Sequence, residues 1–388
     1  VPLFGSDIRL PADQTSMVQA VHDFAVSELM PLDRAWDRDE DGRSVFEVVA
    51  QLCDMGLMNL AVPEALGGLG LDYRTYASIL HELSYASPSV AVTVAVHNMV
   101  GKILGNLAPA AIRESVVTQW GTPGCFGAFA LSEAEAGSDA GAVQTLAVDD
   151  GDAYRVTGEK MWITNGMNAR WFLTLVRVKD APADGQLLAL LIDGEIPGLH
   201  RSKIHGKMGL RGSETAVIGL DGVRVPKTHV IGRVGEGLKV FLSTLNEGRI
   251  GIAAQACGIA EACVDEMSRY ARQRRQFNRP IGRLQAVANM VADSAMELAA
   301  AKALIWRAAA VVDEGDTNRS AASMAKLYAS EAANRIAYRA VQVHGGSGVV
   351  HECRVEQLYR DVRVTTIYEG TSEIQRLLIA REMVRNSD

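Results

Sequence analysis

Glu369 lies in the segment Ile367-Tyr368-Glu369-Gly370-Thr371, a tight Tyr-Glu-Gly turn that hands the chain to a helix. Ser372 to Gln375 reads as a capping box, a Ser followed three residues later by Gln, and the apolar run Leu377, Leu378, Ile379, Ala380 and Met383 continues it. A carboxylate just outside a helix N-terminus sits where free N–H groups gather and ligand oxygens can be held. In a nearly apolar pocket its pKa would rise toward neutrality and it could serve as a general base; in solvent it would be an ordinary loop Glu.

Three further stretches are richer than structure alone needs. Leu131 to Asp139 (LSEAEAGSD) follows a strand with small and hydroxylic residues, which lets backbone approach a flat ligand. Met161 to Gly166 (MWITNG) places the indole of Trp162 and the hydroxyl of Thr164 at i and i+2, on one face of a strand, with Ile163 between them. A buried Trp in a hairpin is the alternative. Arg272, Arg274, Arg275 and Arg279 crowd the break between two helices with Phe277, as a solvated loop or a phosphate-binding corner reaching a neighbouring subunit. His97 reads as a satisfied core residue, because no partner His or Cys stands at metal spacing. Gly232 to Gly237 is not a G-x-G-x-x-G loop and opens no βαβ unit, and neither a P-loop nor a G-x-S-x-G elbow occurs.

The elements that must position these residues fall into three parts. Residues 1–123 read as a helical domain: a helix through Met17 to Glu28 that Pro31 closes, one through Val45 to Met55, one over Tyr73–Tyr85, and a buried helix over Val90–Leu107. Val94 and Val96 of that last helix are expected at a pocket floor. Residues 124–236 carry short, β-branched segments at Phe126–Leu131, Tyr154–Thr157, Met161–Thr164, Phe172–Val178, Leu187–Ile192, Ala216–Leu220 and Val223–Val225, as in a small barrel or sandwich. Asn165-Gly166 is a strong turn signal. Residues 237–388 show four helices broken at Pro280 to Gly282, Gly315 to Thr317 and Gly345 to Gly348, an antiparallel four-helix bundle. The fold class is mainly α with a central β-domain.

Composition narrows the function. The 388 residues carry a net charge of −7 with 48% hydrophobic content, which argues against nucleic acid as the main ligand. Five scattered cysteines without C-x-x-C suggest reduced core thiols and neither a disulfide framework nor a metal site. No run of eighteen apolar residues predicts a membrane span, and no secretory signal is visible. A bacterial cytoplasmic location is expected, or the mitochondrial matrix if a targeting peptide preceded Val1.

Along essentially its whole length the chain resembles the acyl-CoA dehydrogenase family. The matching segments are VPEALGGLG (62–70), ALSEAEAGSD (130–139), KMWITNG (160–166), NEGRIG (246–251), RRQF (274–277), QVHGGSG (342–348) and IYEGTSEIQR (367–376); their order and spacing make the resemblance specific. It implies FAD between the β-domain and the bundle and a homotetramer built as a dimer of dimers. Glu369 would remove the α-proton of an acyl-CoA thioester while flavin N5 takes the β-hydride, and electrons would pass to an electron-transferring flavoprotein. By matching position, Phe129 to Ser138, including Leu131 and Ser132, and Trp162, Ile163 and Thr164 would hold the flavin. Ser138, Asn246, Arg249, Tyr368 and Gly370 would contact substrate. Arg274, Phe277, Gln285, Gln342, Val343, Gly345 and Gly346 would bind the adenylate half of a partner's FAD, and Thr371 and Glu373 its phosphate and ribose region. Ser132 replaces a frequent Thr, Ala134 a common Pro and Asn246 a frequent Asp. Tyr85-Ala86-Ser87 offers no Arg for a second carboxylate, so a short or branched acyl chain is expected. An O2-using oxidase on the same fold and a non-catalytic helical interaction protein are the competing readings.

Overall fold

Helical caps and breakers divide the N-terminal part. The computed structural model describes residues 10–39, 42–182, 186–315 and 319–385. Helix α1 (Ala12–Phe24) runs through a π-helical turn, Ala25–Leu29, into α2 (Met30–Arg38), so Pro31 does not close the helix as its sequence suggests. It falls in the first turn of α2, where its missing N–H costs nothing, and the wide turn before it absorbs the ring. After α3 (Val49–Asp54), α4 (Tyr73–Ala86) and α5 (Pro88–Leu107) are capped by Asp72, which accepts from Thr75 N at 2.9 Å, and Ser87, which accepts from Val90 N at 3.2 Å. Helix α5 is long and apolar enough to cross a membrane by composition alone, but 83% of that stretch is buried inside the protein. Short α6 (Ala110–Ser115) completes this part.

Eight strands form the middle part: β1 (Gly127–Ala130), β2 (Leu146–Asp150), β3 (Ala153–Thr164), β4 (Trp171–Val178), β5 (Leu187–Asp193), β6 (Leu199–Lys203), β7 (Thr215–Pro226) and β8 (Val230–Ile231). Their order is β6-β7-β3-β2-β4-β5-β8, with β1 added in parallel to β4. The segments expected around Tyr154 and Met161 are one long strand, as are those around Ala216 and Val223. Parity sorts their side chains: Phe172, Val176, Leu188, Leu190 and Ile192 enter the sheet's own core, while Leu173, Leu175, Ala189 and Leu191 pack on α5. Strands β5 and β7 meet across that core although three strands separate them in the sheet, so the sheet is rolled. Asn165-Gly166 does turn the chain, but β3 and β4 do not pair. Instead the Asn165 amide donates to Thr93 O (3.2 Å) and Gly127 O (3.1 Å), tying the sheet to α5. His97 is core, as expected: it stacks on Trp120 at 4.6 Å and accepts from Gly127 N.

The C-terminal part follows α7 (Gly237–Ser243). Long helices α8 (Leu245–Gln273), α9 (Gln285–Asp313) and α10 (Arg319–His344) pack together, with α10 also touching α11 (Arg354–Val362) and α12 (Ser372–Arg385). Helix α11 is an element the four-helix expectation lacks. It is only nine residues long and rich in charge, so it is easily read as a loop, although Val355, Leu358 and Val362 at steps of three and four are buried while Arg360 works in ion pairs. The expected break at Thr317 lies outside the described residues.

The three parts meet at a buried polar seam. Arg360 of α11 makes a forked pair with Asp37 of α2 (2.8 and 2.6 Å), and Asp361 accepts from Leu210 N in the β-domain at 2.6 Å. Asp33 of α2 accepts from Ser87 Oγ at 2.6 Å and Gln357 Nε2 at 2.7 Å. Burial, with Asp33 adding to it, pushes Asp361 up to about 8; burial lifts Asp33 to about 6 against these hydrogen bonds.

Candidate active site

Glu369 and Gly370 both adopt left-handed backbone (φ 52° and 90°), which turns the chain sharply between α11 and α12. The helix cap differs from the sequence reading by one residue. Thr371 is the cap, accepting from Ile374 N at 3.3 Å, while Ser372 Oγ is buried without a hydrogen-bond partner among the described residues. Gln375 does not reach back to a cap N–H. The two left-handed residues leave carbonyls facing α12, and Gln375 Nε2 donates to Glu369 O (3.2 Å) and Gly370 O (3.0 Å). Lys326 Nζ of α10 donates to Gly370 O at 2.8 Å. The turn is thus pinned from two helices.

Glu369 is half-buried, with one carboxylate oxygen closed off from solvent. Glu369 Oε2 is buried and has no hydrogen-bond partner among the described residues. A Cβ added at Gly248 of α8 would lie 2.9 Å from Oε2 and 3.3 Å from Met99 Sδ of α5. Burial pushes the Glu369 carboxyl up, offset by the positive charges of Arg249 and Lys326. Lys326 is itself lowered to about 8 by burial, against the attraction of Glu369. One turn deeper on α8, Gly251 faces Leu80 and Tyr76; one turn deeper still, buried Gln255 donates to Pro88 O at 2.9 Å and accepts from Tyr368 Oη. Sequence reasoning missed Gly248, Gln255, Lys326 and Met99. The first two repeat at i and i+7 with Gly251 between, and Lys326 shares a buried helix face with Ser323 and Ser330, which is the signal that was available. Val94, expected at the pocket floor, is in the main core, and Met99 is the α5 side chain beside the carboxylate.

A second group gathers at β1 and β3. Met161 N donates to Ser132 O at 2.9 Å, which joins the Leu131–Ser138 loop to the end of β3. Trp162 (φ 64°) sits at an irregularity between Lys160 and Ile163, so a bulge rather than plain alternation presents its indole, 57% exposed, beside half-buried Thr164. Ile163 is buried in the sheet core, so only its backbone faces this side. Phe129 leans on Phe241 at 4.6 Å, Leu131 and Ser132 are half-buried and Ser138 is exposed. Arg249 is buried near the start of α8; Asn246 lies in the first turn of that helix, its side chain outside the described residues.

The third group is remote. Strands β9 (Arg275–Gln276) and β10 (Arg279–Pro280) form a ribbon whose two turn residues, Phe277 and Asn278, both have positive φ, as a two-residue hairpin turn requires. The turn thrusts Phe277 into solvent at 82% exposure. Tyr270 stacks on His344 at 4.3 Å, which brings the end of α8, capped by Arg274, to the end of α10, where Gln342, Gly345 and Gly346 lie; all four are exposed. Gln285 opens α9 nearby; Val343 turns into the core. Arg249 and Arg274 are 25 residues apart on one helix, about 37 Å at 1.5 Å per residue. Thr371 and Glu373 stay at the near end, on the Glu369 turn and α12.

Models of three successive domains match the chain: acyl-CoA dehydrogenase N-terminal domain over residues 11–120, middle domain over 128–223 and C-terminal domain over 235–384. The chain belongs to the acyl-CoA dehydrogenase family. The short-chain specific acyl-CoA dehydrogenase of Homo sapiens is 40% identical over 381 residues, 98% of this chain and 92% of that protein. Butyryl-CoA dehydrogenase from Megasphaera elsdenii superposes with a TM-score of 0.93 at 32% identity, over 97% of this chain and 100% of the other. A glutaryl-CoA dehydrogenase from Mycobacterium smegmatis, solved in complex with FADH2, gives 0.92 at 25% identity, covering 98% and 97%. The protein is therefore an acyl-CoA dehydrogenase, an FAD-dependent oxidoreductase, with the helical, sheet and helical domains expected from its sequence. Its residues fit that cofactor: the outward indole of Trp162 stands beside Thr164, and the Leu131–Ser138 loop is open at Gly137.

Proposed function

We propose that Glu369 is the general base that removes the α-proton of a short-chain acyl-CoA. The observation that carries this is the buried Oε2 without a partner, held on a pinned left-handed turn. Burial matches the base to a weak carbon acid by raising its proton affinity, while Arg249 and Lys326 keep the anion accessible. The Glu369 N–H is the donor we assign to the thioester oxygen, where charge develops. When bound, FAD supplies the acceptor for the β-hydride. Leu131 to Ser138 and Trp162 to Thr164 are assigned to its ring system, with Ser138, Asn246, Arg249, Tyr368 and Gly370 along the substrate.

The acyl chain would start beside Gly248, with Leu80 and Tyr76 packed on Gly251 and the Gln255–Tyr368 pair closing its far end, a pair an apolar chain cannot part without stranding its polar groups. That favours a short chain, in keeping with the relatives' names. The 37 Å between Arg249 and Arg274 means the distal group, Arg274, Phe277, Gln285, Gln342, Gly345 and Gly346, is assigned to the FAD of a second copy, which supports a dimer of dimers. Electrons would leave to an electron-transferring flavoprotein.

Anaerobic titration of the yellow holoenzyme with acyl-CoAs of increasing length tests this. Short chains should bleach the flavin and long ones should not. Glu369→Gln should keep its flavin yet bleach on the order of 10²–10⁴ times more slowly, the usual worth of a general base. Near-normal bleaching by that variant would refute the assignment. Stoichiometric peroxide in air would favour the oxidase reading.

A further inference from the structure

Lys160 is fully buried in the β-domain, and nothing in the reaction just described uses it. Its Nζ donates to Leu131 O at 3.1 Å and pairs with Glu133 Oε1 at 2.7 Å. Glu133 is fully engaged in turn: it accepts from Gln144 N at 2.5 Å, from Thr145 N at 3.0 Å and from Thr145 Oγ1 at 2.6 Å. Burial pushes the Glu133 carboxyl up, but Gln144 N–H, Lys160 and Thr145 together hold it below the ordinary range, so it is an anion. One strand residue further, Met161 N donates to Ser132 O, and Trp162, Ile163 and Thr164 follow directly. The ammonium thus stands where two separate stretches of chain converge, and it bonds the loop at its root.

A buried ion pair is a poor source of stability, because desolvation consumes most of the attraction; a well-packed apolar pair would serve a core as well. What it does supply is direction. Leu131 O needs a donor that only a long cation reaching up from β3 provides, and Glu133 fixes where that cation's head lies. Lys227–Asp149, an exposed pair on the same domain, has no such geometry to enforce.

We propose that Lys160, held by Glu133, is a positioning residue that locks the Leu131–Ser138 loop onto the Trp162–Thr164 strand end, so that both arms of the flavin cradle are set before FAD arrives. This rests on the assignment of those two segments to the flavin ring.

The test uses full-length apoprotein and measures FAD affinity by fluorescence quenching, beside its thermal unfolding without FAD. Lys160→Met alone strands a buried carboxylate and can misfold, so the decisive variant is Lys160→Met/Glu133→Gln, which removes both charges. Its apoprotein should melt lower, because the amide at 133 offers one acceptor where the carboxylate offered two, yet stay folded at the assay temperature while its FAD Kd rises about tenfold or more, the worth of a charge-assisted hydrogen bond. Its bound flavin should also show a shifted visible spectrum. Lys227→Met should change neither. A double variant that binds FAD within about twofold of wild type, when Trp162→Ala binds it weakly, overturns the clamp and leaves the flavin assignment standing. If Trp162→Ala itself binds FAD as tightly as wild type, the assignment of these segments fails and the clamp with it.

Discussion

Burial and two nearby positive charges pull the proton affinity of Glu369 in opposite directions. Burial raises it; Arg249 and Lys326 lower it. The acid limb of kcat/KM should therefore lie above the value of about 4.3 for a free Glu, because the base works only as the anion. Removing the Lys326 charge takes away one of the groups favouring that anion. In Lys326→Met the limb should move to higher pH, and kcat should fall as Gly370 O loses one of its two donors. A pH–rate profile on a short-chain substrate checks both; a limb that stays or moves down would deny Lys326 any electrostatic part. Glu369 itself was legible because a Glu-Gly turn ahead of a capped helix is a local pattern. Lys326 was not, since its partner is a backbone carbonyl 44 residues away. The cap was misread by one residue because Thr371 and Ser372 are both good caps, and only the three-dimensional turn selects between them.

Helix α8 carries the site, and it is placed by contact with α4. At Gly258 a Cβ would stand 2.4 Å from His81 O and 2.9 Å from Tyr85 N, both backbone atoms of α4 that cannot swing aside. Gly258→Ala must therefore push the two helices apart. We expect a loss of about 1–3 kcal/mol, read as a lower unfolding temperature, even though Ala is the better helix former. An unchanged melting point would mean the helices have slack. Elements with clean periodicity, such as α4, α5 and α8, were readable from sequence. Strands β2 and β6 were not: Leu146–Asp150 ends in two Asp and Leu199–Lys203 alternates with charge, so each takes its conformation from the neighbour it pairs with. The ribbon around Phe277 escaped for a related reason, being two-residue strands defined only by their turn.

On the scale of the molecule, the seam of Asp33, Asp37, Asp361 and Arg360 joins all three parts. A carboxyl whose folded pKa is raised binds its proton more tightly folded than unfolded. Its contribution is complete below the unfolded value of about 3.9 and is lost as pH climbs toward the folded one. With Asp361 near 8 and Asp33 near 6, stability should decline from about pH 4 upward, through both groups to about pH 6 and through Asp361 alone from there to about pH 8. Asp361→Asn keeps an oxygen for Leu210 N without the charge, so it should flatten that decline at little cost at neutral pH. Thermal melts across pH 4–9 would show the gap between the two curves changing up to about pH 8 and constant above it, and curves parallel throughout would exclude the seam.

The long α8 sets the turn proposed as catalytic and the corner proposed for an adenylate at opposite ends of the same rod. If each corner serves the neighbouring copy, a subunit's own defect need not silence its own centre. Two chains disabled at opposite ends could, on co-assembly, rebuild working centres from their undamaged halves, so that two inactive alleles of a single gene would rescue one another.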